Sequence, residues 1–190
     1  FMNIWIGQSG YPVLHVRPDG LAQEQFFVGP HEPSTKLWPI PLDAESTEDI
    51  PALLETRELA LPIADDERFN VHNSGHFLTH YTPSHMGRIL ARLESLDEMG
   101  RLQLVDEHTL LTRGGITPAS ETISLLQAYQ SETSQHVWES VAGAFGSLKK
   151  FVEFDEAAEQ KLRQFAKTLA SPLFSTLGWT PQPGEPESST

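Results

Sequence analysis

Three histidines, His72, His76 and His80, recur every four residues inside the segment Arg68–Thr82, which reads RFNVHNSGHFLTHYT. On a helix that spacing stacks imidazoles on one face, the arrangement used by two-histidine zinc sites. Asn73-Ser74-Gly75 interrupts any helix here. On an extended strand four residues span roughly 13 Å, too far for two ligands that must each lie about 2 Å from one ion. The cluster therefore reads as satisfied or solvent-facing histidines. Cysteine is absent, which removes disulfides, thiolate metal sites and cysteine nucleophiles. No histidine opens an H-E-x-x-H frame, because His31-Glu32 continues into Pro33-Ser34-Thr35. G-x-S-x-G and glycine-rich phosphate loops are missing as well, and Ser9-Gly10 and Ser74-Gly75 read as turn pairs. One acid/base pair remains, Glu107 with His108, and a solvated helix face is the simpler expectation for both. No catalytic residue, no metal ligand and no cofactor is assigned to this chain.

The bulk composition narrows the function classes further. The formal net charge is -13, and Lys149-Lys150 is the only adjacent basic pair. No basic stripe exists to neutralise phosphates, so neither nucleic acid nor an anionic membrane is an expected partner. No apolar run reaches the length of a membrane helix, and the N-terminus lacks a signal-peptide pattern. A cytoplasmic protein is expected. Phe1-Met2-Asn3-Ile4-Trp5 leads straight into strand-like sequence, as if cut from a longer polypeptide.

The elements that must position these residues change character once. Before residue 83, short apolar runs alternate with Pro and Gly punctuation. Ile4–Ile6, Tyr11–Val16, Leu21–Val28, Leu37–Leu42, Leu53-Leu54 and Leu59–Ile63 are strand candidates, with Arg17-Pro18-Asp19-Gly20 as a turn. Pro39 and Pro41 place their run on a sheet edge. Phe69–Val71 and His76–Tyr81 flank His72-Asn73-Ser74-Gly75 as a hairpin, with Phe77, Thr79 and Tyr81 on one strand face. About seven short strands predict an antiparallel β-sandwich over 1–82.

Thr82-Pro83 then supplies an N-cap with proline at the first helical position. The apolar period lengthens to that of a helix. Met86, Ile89, Leu90, Leu93 and Leu96 form one stripe, closed near Gly100; Leu102, Val105, Thr109 and Leu110 form the next, ending at Gly114-Gly115. Thr117-Pro118 opens a third helix with Ile123, Leu126 and Tyr129 inward. Val137, Val141, Ala144, Phe145, Leu148 and Val152 mark a fourth, and Asp155 caps a fifth with Leu162, Phe165, Leu169 and Phe174 buried. The expectation is an α+β chain in two segregated parts, the sandwich followed by antiparallel helical hairpins in a solenoid-like layer over 83–180. Pro181–Thr190 reads as a tail or loop.

Two stretches resemble a known family. Trp5, Gln8, Gly10, Tyr11 and Pro12 stand as in the W-x-x-Q-x-G-[YF]-P segment of zinc aminopeptidases of the aminopeptidase N and puromycin-sensitive type. Phe69-Asn70-Val71, Gly75, Phe77 and His80-Tyr81 are similar to the stretch that closes the small sandwich in that family. Here His76 and Phe77 replace its usual aromatic pair, and Thr79 takes a common valine position. Arg101-Leu102, Leu104, Asp106, Leu110, Glu132 and Trp138 resemble the start of its helical domain. Leu177-Gly178-Trp179 and Gly184-Glu185 look like a loop where that domain normally continues.

The resemblance implies an excerpt of a zinc-dependent enzyme that removes N-terminal residues from peptides. The family's zinc and substrate-amine motifs lie upstream and do not occur here. Trp5, Gln8, Gly10, Tyr11, Pro12, Asn70, Gly75, Tyr81, Arg101 and Asp106 are thus expected to be structural. Zinc and peptide substrates would belong to the parent enzyme, and the partners of this chain would be the parent's catalytic domain and remaining helices. The sandwich would act as a spacer and the helices as part of a lid over the active-site chamber. An interrupted helical layer should expose Phe174 or Leu177 and lead either to self-association or to fraying there. The rival expectation is an independent scaffold or adaptor that binds a partner through its helical layer.

Overall fold

The computed structural model describes residues 2–46 and 49–177, with the side chains of 176 and 177 left aside. The tail 181–190, the resemblance at Gly178, Trp179, Gly184 and Glu185, and the exposure expected at Leu177 lie outside the described residues. Among the described residues there are six strands in two small sheets and six α-helices. The expected α and β content is therefore present, while the seven-stranded antiparallel sandwich is not.

Pro18-Asp19 closes the first hairpin. It joins β1 (Pro12–Arg17) to β2 (Gly20–Gln25) with Arg17 opposite Gly20, a two-residue turn. The short strands β3 (Ile40–Pro41) and β4 (Leu53–Leu54) pair only with each other. Pro39 and Pro41 lack the N–H groups that a longer ladder needs, so the Leu37–Leu42 run contributes just this pair. β5 (Glu58–Ala60) lies antiparallel on β2, and β6 (Leu78–Tyr81) lies parallel on β1, giving the order β5-β2-β1-β6. Gln23 ties the proline-rich run to the larger sheet. Its Nε2 donates to the carbonyls of Trp38 and Thr56, both at 2.9 Å, and its Oε1 accepts from Trp38 N at 2.9 Å.

Three expectations for this half are corrected. Ile4–Ile6 is part of a helix, α1 (Met2–Gly7). Both sides of β1, the strand that follows it in the chain, are taken by β2 and β6. The Phe26-Phe27-Val28 run lies beyond β2, which stops at Gln25. Arg68–Thr82 is not a hairpin. Asn70 takes a left-handed φ of 55°, which ends extended backbone at that point. The Asn70 and Val71 amides then donate to Leu42 and Asp43 carbonyls, and only Leu78–Tyr81 forms a strand.

Close approach of backbone explains one glycine. A Cβ built on Gly20 would stand 2.3 Å from the Leu59 carbonyl oxygen on β5. Neither strand can yield without losing the Gly20–Ala60 register. Gly20→Ala is expected to cost about 2 kcal/mol, read as a lowered midpoint in thermal unfolding; an unchanged midpoint would contradict this packing.

Thr82 caps α2 (Pro83–Leu90), its side chain accepting from His85 N, and proline sits in the first turn. The stripe expected to run on through Leu96 is broken. A 3-10 turn (Leu93–Ser95) intervenes, and α3 (Glu98–Arg113) starts afresh with the Asp97 side chain accepting from Gly100 N at 2.8 Å. Gly100 is thus inside α3 rather than at a helix end. α4 (Ala119–Gln127) is capped by Pro118 without a side-chain bond; Thr117 is buried instead, its hydroxyl 2.9 Å from that of Thr112. α5 (Gln135–Phe151) buries Val137, Val141, Ala144 and Leu148. α6 (Glu156–Leu177) begins where Asp155 Oδ1 accepts from Ala158 N at 3.0 Å.

Both faces of the larger sheet are covered. Leu14, Val16 and Tyr81 join a cluster that continues through Ile89, Leu126 and Val141 to Leu169, so one apolar core crosses residue 82. Val13, Phe26 and Leu78 point the other way and meet Leu111 of α3 in a second cluster. Strand alternation in β1 and β6 places neighbouring residues in different cores.

Candidate functional site

The described chemistry concentrates where α3 crosses β6. Thr79 N donates to Glu107 Oε2 at 2.8 Å, and Gln103 Nε2 donates to Glu107 Oε1 at 2.7 Å. Gln103, Glu107 and His108 are all buried, so the solvated face expected for the Glu107-His108 pair is overturned. The stripe expected from Leu102, Val105, Thr109 and Leu110 is rotated. The buried face carries Gln103, Leu104, Val105, Glu107, His108, Leu111 and Thr112. Burial pushes the Glu107 carboxyl up to about 7, opposed by the bonds from Gln103 and Thr79 and by Arg68. Burial alone pushes His108 down to about 4. His108 Nε2 is sealed without a hydrogen-bond partner, and so is Gln103 Oε1.

Next to this lies a histidine pair across the parallel strands. His15 Nε2 stands 2.9 Å from Glu24 Oε1, and the Nδ1 atoms of His15 and His80 are 2.8 Å apart. With His15 donating through Nε2 to the carboxylate, its Nδ1 accepts and His80 Nδ1 donates. Burial lowers His80 to about 4, helped by His15, His108 and Arg17. His72 is remote from the pair, exposed on Asp43 at 2.8 Å, and the His76 ring lies 4.7 Å from that of Tyr11. The three recurring histidines therefore go to three different environments. Among the described residues no group of three or more His, Cys, Asp or Glu is placed to hold a metal ion. The facing nitrogens of His15 and His80 are spent on each other, and the donor set does not fit a catalytic zinc.

The ten residues singled out for their resemblance occupy three local assemblies. At the N-terminal end, Trp5 Nε1 donates to Pro39 O at 3.2 Å and Gln8 Nε2 to Leu37 O at 2.8 Å. Gly10 (φ 90°) leaves room for the Gln25 amide, whose Nε2 would lie 2.6 Å from a Cβ there. Tyr11 stacks on Phe26 with centroids 5.3 Å apart, and Pro12 opens β1 opposite Gln25. In the loop before β6, the Asn70 side chain donates to Gly75 O at 3.0 Å and accepts from Gly75 N at 2.8 Å. Tyr81 Oη accepts from Phe69 N at 3.0 Å, and burial raises the phenol strongly.

The third assembly joins α3 to the start of α5. Arg101 Nε and Nη2 donate to the two Glu132 carboxylate oxygens at 2.6 and 3.2 Å, and Nη1 donates to Leu96 O at 2.7 Å. Thr133 N and Ser134 N donate to the same Glu132 carboxylate, and Trp138 Nε1 to its carbonyl. Asp106 lies on the exposed side of α3. With Tyr11, Gly75 and Glu107 it lines a cleft of about 230 Å³ between α3 and the loop before β6.

Gln103 escaped the sequence reading, and Glu107 was noticed but expected on a solvated face. The available signal was Leu104 and Leu111, which share their side of the helix and were passed over in favour of Leu102 and Leu110.

The polar assemblies tie the layers of this chain to one another. Residues 68–190 match the family model of the ERAP1-like C-terminal domain, and the chain belongs to that family within the aminopeptidase N type. It is 31% identical to aminopeptidase N of Lactobacillus helveticus over 97% of this chain and 23% of that protein. It is 29% identical to aminopeptidase N of Lactococcus lactis subsp. lactis over the same shares. Against aminopeptidase 2, mitochondrial, of Saccharomyces cerevisiae it is 27% identical over 94% of this chain and 20% of that protein. The chain spans about a quarter or less of the length of these relatives.

Proposed function

We propose that this chain is a non-catalytic portion of a zinc aminopeptidase whose whole form removes N-terminal amino acids from peptides. The observation that carries the reading is the alignment: nearly the whole chain, 97%, matches 23% of an aminopeptidase N. The sheet-bearing part, 1–82, serves as a spacer, and the helices of 83–180 form part of the lid over the peptide chamber. The ten resemblance residues are structural in this reading, holding the N-terminal segment, the Asn70–Gly75 loop and the α3–α5 junction in place. Zinc and peptide substrates belong to the whole enzyme, whose catalytic domain and further helices are the partners of this segment. A cytoplasmic location fits the acidic, cysteine-free composition, and no helix among the described residues is long and apolar enough to cross a membrane.

The test uses the isolated chain with aminoacyl-anilide substrates and added zinc. The expected result is no hydrolysis above the level of a denatured control and no stoichiometric metal. Hydrolysis that co-purifies with the folded chain and is abolished by a chelator would overturn the reading. Self-association belongs to the same proposal. Phe151, Phe154 and Phe174 are 54%, 98% and 53% exposed, and α5 and α6 form an apolar hollow of about 400 Å³ with α4. Sedimentation is expected to show a concentration-dependent dimer.

A further inference from the structure

The end of α5 and the start of α6 carry a knob and a hollow side by side. Phe154, in the turn between the two helices, is 98% exposed. Next to it lies the apolar hollow of about 400 Å³, lined by Ile123, Leu148, Val152, Leu162 and Phe165. A cavity of about 150 Å³ with such a lining already holds a benzene ring, yet Phe154 points away from its own hollow. The charges are divided in the same way. Glu153 and Asp155 flank Phe154 in the chain, while Lys161 stands at the hollow without an ion pair among the described residues. The chain carries a net charge of -13, but residues 149–167 hold five of its 13 Lys and Arg against four acidic residues. A second copy of this acidic protein therefore meets the least repulsion on this face.

We infer that the occupant of the hollow is Phe154 of a second copy, each copy giving its ring to the other about a two-fold axis. The inference rests on the self-association proposed above and supplies the contact that makes it. A two-fold interface presents the same patch on both sides, so the patch has to contain a knob and its receptor together. This face does. The acidic residues that flank Phe154 travel with it to Lys161 of the second copy, so the docking that buries the ring also sets opposite charges at its rim. Exposed ion pairs of this kind add little each. The two rings carry the affinity, as buried aromatic anchors do at other interfaces. The mixed charge also selects the occupant: a strongly acidic partner would meet Glu153, Asp155 and Glu156, and a strongly basic one Lys149, Lys150 and Lys161.

Sedimentation equilibrium of the full chain, from micromolar to millimolar concentration at neutral pH, compares the parent with three variants. All three positions are exposed, so the variants are expected to unfold at the parent's temperature when dilute. Phe154→Ser is expected to weaken the dimer at least about a hundredfold, because each dimer loses two buried rings. Lys161→Glu and Glu153→Lys each oppose like charges twice per dimer. Each is expected to weaken association about tenfold, and less so at about 1 M salt. Mixing these two single variants places opposite charges at both contacts of the heterodimer, so the mixture is expected to regain the parent's affinity. A dimer of undiminished affinity in Phe154→Ser would overturn the inference while leaving self-association in place. So would a mixture no tighter than the separate charge variants. A parent chain that stays monomeric at every concentration would overturn both.

Discussion

Glu132→Ala is expected to lose about 3 kcal/mol of folding stability, the scale for breaking a buried ion pair by removing one partner. The Glu132 side chain is 4% exposed and that of Arg101 18%, so the guanidinium left behind stays mostly out of water. Burial works against ionisation of Glu132, but Arg101 and the Ser134 and Thr133 amides outweigh it and hold the carboxyl below its usual range. The deletion therefore strands a cation and two amides at the entry to α5. Glu132→Gln keeps an acceptor for those amides and is expected to lose about half as much, roughly 1.5 kcal/mol. Urea denaturation at pH 7 measures both. Since a domain of this kind holds about 5–15 kcal/mol in total, an alanine variant within about 1 kcal/mol of the parent would refute the assignment of this junction.

His108→Leu is expected to stabilise the protein, by about 1–2 kcal/mol at pH 7, because it removes a buried nitrogen that has no partner. The acid limb should change with it. His108 and His80 are both depressed to about 4 by burial, so between about 4 and 6.5 the unfolded chain binds protons that the folded chain does not. Each therefore makes the fold less stable as pH falls through that window. Glu107 runs the other way. Raised to about 7, it binds a proton in the folded state that the unfolded chain releases, so its contribution is present in acid and fades as pH rises toward 7. Its neighbours Gln103, Thr79 and Arg68 and the His15–His80 pair with Glu24 and Arg17 complete the set of facing groups. With His85 also lowered and Asp106 also raised by burial, three histidines against two carboxyls leave stability rising from about pH 4.5 to 6.5. Denaturant midpoints across that range are expected to show a shallower slope in His108→Leu. A variant less stable than the parent at pH 7, with an unchanged slope, would refute this account.

The helical half was legible because its signals are local. Thr82-Pro83, Asp155 and the Val137–Val141–Ala144–Leu148 stripe each state their role within one or two turns of chain. The sheet was harder for a physical reason. β6 pairs with β1 in parallel, Val13 with Leu78 and Val16 with Tyr81, so its partner lies more than sixty residues away and leaves no turn chemistry to read. The hairpin expected at His72–Gly75 mistook an Asn70-to-Gly75 side-chain bridge for a strand reversal. The site was misread for a related reason. Gln103, Glu107 and His108 look solvated because polar residues on a helix usually are, and only the strand that arrives from the far side of Thr82 buries them.

The bond from Thr79 N to Glu107 has one more consequence. β6 is the last strand of its sheet, and an outer strand with a bare N–H row is a template onto which another chain can add. The α3 carboxyl occupies the row at Thr79 and the body of α3 lies over the strand, so the sheet is terminated by a helix from its own chain. Removing that carboxyl would leave the Thr79 N–H unpaired beneath α3 and loosen the helix that keeps a second chain off this edge.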